Sequence, residues 1–83
     1  MNRDREIMSE LEWMDIFAGN LQSLMDEERM SQSELSRRTG ISQGTISRYL
    51  NAQCMPSVNA LVNIAHVFKG AEITDLLYFY KPM

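Results

Sequence analysis

One cysteine, one histidine, two prolines and four glycines are spread through these 83 residues, and no apolar run approaches the roughly 18 residues that span a bilayer. Each scarcity excludes something. Cys54 has no second cysteine to pair with, and Cys54 with His66 supplies two strong metal ligands where a structural zinc site takes four. Disulfide scaffolds and zinc fingers are therefore out. The opening stretch MNRDREIMSELEW carries charges of both signs where a secretion signal has an uninterrupted apolar centre, so the chain is read as soluble and cytoplasmic, with no membrane partner. A serine or cysteine nucleophile would need a positioned base, and His66 is the only histidine. The carboxylates Asp26, Glu27 and Glu28 sit at a helix end with nothing to perturb them, which reads as a solvating surface. The expectation is a protein that is not an enzyme and takes no cofactor or metal.

What is present suffices for one modest core. Hydrophobic residues make up 45% and charged residues 23%, close to the globular average. The net charge of −3 argues at first against a nucleic-acid partner, because phosphate binding is carried by Lys and Arg. Its distribution argues otherwise. Residues 1–30 hold three basic and eight acidic side chains, residues 31–70 four basic and one acidic, and residues 71–83 one basic and two acidic. A basic island sits in an acidic chain.

Helix start signals recur in one form: a serine N-cap, an apolar residue before it and another four positions after. The serines are Ser9 (Met8, Trp13), Ser31 (Met30, Leu35), Ser42 (Ile41, Ile46) and Ser57 (Pro56, Leu61). Ser9 with Glu12 and Ser31 with Glu34 also fit the capping box. Strand signals are weak, so the chain is predicted all-α with five helices. The first covers about Glu10 to Glu28, with Met14, Phe17, Leu21, Leu24 and Met25 inward; Gly19 could break it, moving the start toward Asp15. The second covers about Gln32 to Arg38 and stops at Thr39-Gly40. The third covers about Gln43 to Leu50 with Ile46, Tyr49 and Leu50 inward, the fourth about Val58 to Phe68, and the fifth about Ile73 to Phe79. The expected organisation is a helix-turn-helix domain at 15–79, an extension of the first helix at 1–14 and a short tail at 80–83.

Two short helices around Thr39-Gly40-Ile41 fit a helix-turn-helix, in which a tight turn lets the second helix project. The outward face of the third helix sharpens this reading. Gln43, Gly44, Ser47, Arg48 and Asn51 form one polar stripe at helical spacing, with no acid on it. Gln, Arg, Asn and Ser match the donor and acceptor patterns of base edges in the major groove, and glycine permits close approach. Arg37 and Arg38, pointing away from Leu35, are placed to reach flanking phosphates, as is Gln32 at a helix N-terminus.

The run MSQSELSRRTGISQGTISRYLNAQCMPSVNALVNIAHVF resembles the helix-turn-helix domain of phage repressors, Cro proteins and their bacterial relatives, the XRE or Cro/C1 family. The marks are Gln32, Leu35, Gly40, Ile41, Ser42, Ile46 and Ser47, then Pro56-Ser57 followed by Leu61 and Ala65. The resemblance spans roughly Ile16 to Leu77. It implies a five-helix lambda-repressor-like domain that sets its third helix in the major groove, usually as a two-fold dimer on a palindromic operator. Carried over by position, Gln43, Gly44 and Arg48 fall where family members contact base edges, and Gln32 and Asn51 where they bind phosphate. With the residues read from the helix faces added, the expected base contacts are Gln43, Gly44, Ser47 and Arg48, and the expected phosphate contacts are Gln32, Arg37, Arg38, Thr45 and Asn51. Two departures stand out. Ser36 replaces the usual alanine, and the loop from Asn51 to Met55 lacks the usual glycine and basic residues, which lowers the expected affinity of a single domain.

The expected function is a sequence-specific double-stranded DNA-binding transcriptional regulator, a repressor acting by occupancy. An antitoxin that also neutralises a toxin, and a protein-interaction module on the same fold, are the alternatives. Aromatic and methionine residues favour interfaces, so Leu77-Tyr78-Phe79-Tyr80 is read as a homodimer contact. Ile7, Met8 and Trp13 are read as packing on their own chain.

Overall fold

The computed structural model describes residues 9–78. Its five helices are α1 (Glu10–Glu28), α2 (Gln32–Thr39), α3 (Gln43–Leu50), α4 (Val58–Val67) and α5 (Ile73–Leu77), with no strand among the described residues. Each of the first four starts on its serine. The hydroxyls of Ser9, Ser31, Ser42 and Ser57 accept the backbone N–H of Glu12, Glu34, Thr45 and Ala60 at 3.2, 3.0, 3.1 and 3.1 Å. A helix start leaves four N–H groups without intrahelical partners, and each hydroxyl satisfies one, worth about 1 kcal/mol. The apolar residues before three of these caps, Met30, Ile41 and Pro56, are buried or half-buried, as a hydrophobic staple requires. Met8, before the first, lies outside the described residues.

Several boundaries differ from the sequence reading, each for a local reason. Gly19 does not interrupt α1, because the reciprocal bond from the Ser9 N–H to Glu12 Oε1 at 2.7 Å completes the capping box and starts the helix at Glu10. The box expected at Ser31 forms only by half. The Glu34 carboxylate turns away from the cap to pair with Arg38 at 3.6 Å. Helix α4 ends one residue early because Phe68 turns extended (φ −93°, ψ 111°), which carries its ring into the core. Helix α5 ends at Leu77 rather than Phe79, since Tyr78 is already extended. There the Asn20 amide of α1 donates to the carbonyls of Leu76 and Tyr78 at 2.9 and 2.8 Å, satisfying acceptors the short helix leaves open.

Phe17 and Leu21 of α1, Leu35 of α2, Ile46 of α3, Ile64 of α4, Phe68 just past its end and Leu76 of α5 are fully buried in one cluster. Helix α1 lies across α3 and α5, while α2 packs on α3 and α4. Leu24 is half-buried and packs against the margin of this cluster. The turn between α2 and α3 is held from both sides. Gly40 adopts the left-handed conformation (φ +79°), and Thr39 Oγ1 donates to the Leu35 carbonyl at 2.8 Å while accepting the Ile41 N–H at 3.1 Å.

Candidate nucleic-acid interface

Helix α3 has one face fixed and one free. Ile46 and Tyr49 are buried, and the Tyr49 ring meets Phe17 of α1 edge to face at 5.3 Å and 78°. Burial pushes the Tyr49 hydroxyl above its ordinary pKa of 10.0, the Cys54 thiol adds to the rise and Arg48 opposes it. The phenol is neutral at physiological pH. That inner face fixes the rotation of α3 about its own axis, and so decides which residues point outward.

On the outer face Gln43, Gly44, Arg48 and Asn51 are exposed, with Thr45 and Ser47 half-buried beside them. A chain of hydrogen bonds crosses it. Ser42 Oγ donates to Thr45 Oγ1 at 2.9 Å, and Arg48 Nη2 donates to the same oxygen at 3.2 Å. A β-carbon built on Gly44 would meet nothing closer than Arg48 Nη1 at 4.0 Å, so the protein's own packing does not require glycine there. Asn51 closes the helix by donating from Nδ2 to the Ser47 carbonyl at 2.9 Å.

The chain leaves α3 through Ala52 in the left-handed conformation (φ +56°), the place of the glycine missing from the loop. The N–H of Ala52 bonds the Tyr49 carbonyl at 3.1 Å and that of Gln53 the Arg48 carbonyl at 2.8 Å, a Schellman closure. An alanine thus does the work of glycine at some conformational cost.

On α2, Gln32 at the first position and Arg37 near the end are exposed. Arg38 is set apart from the α3 stripe. It pairs with Glu34 and lines an open cleft of about 420 Å³ with Thr39, Asn63, His66 and Val67, between α2 and α4. Among the described residues, no group of three His, Cys, Asp or Glu side chains is placed to hold a metal ion.

A profile of the Cro/C1-type HTH DNA-binding domain matches residues 20–82, roughly three-quarters of the chain. The chain belongs to that family. No curated protein and no solved structure gave a match. The Cro/C1-type domain accounts for the all-helical, five-helix architecture and for a helix-turn-helix made of α2, the turn at Gly40 and α3. It is a DNA-binding domain by family. Among the described residues, no helix is long and apolar enough to cross a membrane.

Sequence reasoning put Gln43, Gly44, Ser47, Arg48 and Asn51 on one face of α3, where the structure has them, but missed three of this domain's contacts. Thr39 as the lock of the turn and Thr45 as the partner of Arg48 were both within reach, since each bond joins residues three or four apart on one helix. The Asn20 bonds to the end of α5 had no such signal, because they join residues 56 and 58 positions apart.

Proposed function

We propose that the protein is a sequence-specific regulator of transcription, a repressor that inserts α3 into the major groove of double-stranded DNA and acts by occupying its operator. The observation that carries this is the outer face of α3. It is polar, solvent-exposed and free of acidic side chains, on a helix whose opposite face is locked into the core.

Gln43, Gly44, Ser47 and Arg48 are assigned to base edges. Gln43 can meet adenine N6 and N7 with its amide, Arg48 can meet guanine O6 and N7, and Gly44 leaves the helix surface low enough for the base pairs to come close. Gln32, Arg37, Arg38, Thr45 and Asn51 are assigned to phosphates. Arg37 is fully available by this reading, whereas Arg38 must give up part of its attraction to Glu34. Net negative charge is no obstacle, because at physiological salt a charge is screened beyond about 8 Å.

A homodimer suits this surface. A single domain brings few basic contacts, and two half-sites joined rigidly bind far more strongly than either alone. The C-terminal aromatic residues are the proposed contact; Tyr78 is exposed, while Phe79 and Tyr80 lie outside the described residues, as do Ile7 and Met8. The site of action is the cytoplasm.

The test is selection of binding sites from randomised duplex DNA by the purified chain at low salt. An enriched palindrome is expected, with half-sites one helical turn apart, about 34–36 Å. Folded protein that enriches no sequence would overturn the reading and favour a protein-interaction module or an antitoxin that needs its partner.

A further inference from the structure

We infer that Thr45 is a positioning residue that holds the Arg48 guanidinium ready to read one guanine in each half-site. The inference rests on the reading of α3 as the element that enters the major groove. It goes beyond it by naming the residue that fixes the choice of base.

The argument starts from what Arg48 does with its donors. A guanidinium carries five N–H groups on a planar fork. One of them, on Nη2, is spent on Thr45 Oγ1 at 3.2 Å. That oxygen is itself held by the Ser42 hydroxyl at 2.9 Å, and Ser42 is the helix cap whose oxygen accepts the Thr45 N–H at 3.1 Å. Arg48 is therefore tied through two hydroxyls to the start of its own helix. Its Nη1 lies 4.0 Å from where a Gly44 β-carbon would stand, so the guanidinium stays near the first turn of its own helix. No carboxylate takes part: the one ion pair among the described residues is Glu34 with Arg38.

An arginine restrained by a neutral hydroxyl keeps its full charge and at least two unspent N–H groups. Two parallel donors match guanine, which offers O6 and N7 as acceptors in the major groove. They do not match adenine, whose N6 amino group would confront a donor with a donor. An unrestrained arginine swings between bases and phosphates, losing rotamer freedom on binding. Prior attachment to Thr45 removes that freedom before DNA arrives and aims the fork at the groove floor.

The experiment compares the wild type with Arg48→Ala, Thr45→Val and Thr45→Ser. Operators are first selected by the wild type, and the position whose preference Arg48→Ala abolishes is then varied through all four bases. Guanine is expected there. Thr45→Val keeps the branched side chain and leaves Ser42 free to cap the residue 45 N–H, so the fold is retained, as a melting curve checks. It is expected to lower the guanine-over-adenine ratio by about three- to tenfold, the equivalent of one net hydrogen bond, over and above the uniform loss that its phosphate contact brings to every duplex. Thr45→Ser restores the ratio. If Thr45→Val instead weakens every duplex equally, Thr45 only touches phosphate and the inference is wrong. A different base at the Arg48 position, or a ratio that Thr45→Ser does not restore, overturns it too. If the wild type selects an operator and Arg48→Ala alters no position, this inference fails alone; if the wild type selects nothing, the reading of α3 fails with it.

Discussion

Helices α2 and α3 are both eight residues long and both start on a serine hydroxyl, yet they handle their arginines in opposite ways. On α2 the acid Glu34 turns from the cap to pair with Arg38. On α3 no acid is present, and Arg48 is steadied by the neutral Thr45 hydroxyl. Helix α2 satisfies Arg38 within the protein and leaves Arg37 exposed, whereas α3 only orients its single cation. Their ends differ as well: α2 stops on Gly40, which tolerates the left-handed conformation, and α3 on Ala52, which does not do so freely.

The severest way to break the comparison removes the platform the two helices share. Leu35→Ala on α2 and Ile46→Ala on α3 each empty a fully buried site and are expected to cost about 2–5 kcal/mol of folding stability. Urea titrations measure both. A loss under about 1 kcal/mol at Ile46 would mean that α3 is not anchored as described.

Next in size is DNA recognition. Gln43→Ala is expected to relax base preference at one position of each half-site by about 1–3 kcal/mol, whereas Arg37→Ala weakens all duplexes alike and flattens the salt dependence. Competition binding at two salt concentrations separates them, and identical behaviour of both variants would contradict the division between base and phosphate contacts.

The helix ends come third. Ala52→Gly should stabilise the fold by up to about 1 kcal/mol by removing left-handed strain, and Gly40→Ala should destabilise it by a similar amount. Opposite shifts in melting temperature are the expected result; shifts of the same sign would refute it.

Glycines within helices give a finer contrast. A β-carbon would meet open space at Gly19 and only ordinary contact with Arg48 Nη1 at Gly44, so Gly19→Ala should add about 0.5–1 kcal/mol of stability and Gly44→Ala, in a first turn, somewhat less. Only Gly44→Ala should weaken operator binding. Equal operator affinity for both variants would deny Gly44 a place at the DNA.

The smallest effect expected is that of Glu34→Gln. The pair it breaks is exposed, so stability should fall by no more than about 0.5 kcal/mol while Arg38 is freed and low-salt DNA affinity rises slightly. Unchanged affinity would place Arg38 out of reach of the phosphates.

The sequence made most of the fold legible because helix starts are local events. A serine, the apolar residue before it and the one four positions on suffice to fix a cap, and all four serines cap as read. Helix ends were less legible, since Phe68 and Tyr78 leave the helix to satisfy the core and the Asn20 amide, which no neighbouring residue announces. On the interface, the helical period alone sorted α3 into an inner and an outer face. It did not say that Glu34 would prefer Arg38 to its own cap, because both partners lie within one turn of the carboxylate and only the folded geometry decides between them.

The Asn20 bonds also bear on the order in which the chain assembles. They join residues 56 and 58 positions apart, while the contacts that build the α2–α3 pair are close in sequence. A five-residue helix is too short to persist by itself, so α5 forms as it docks rather than before. Closure by Asn20 is thus a late step, taken once α1 and the middle helices are in place. The α2–α3 pair is organised from nearby contacts, and α1 and the end of α5 are sewn together last.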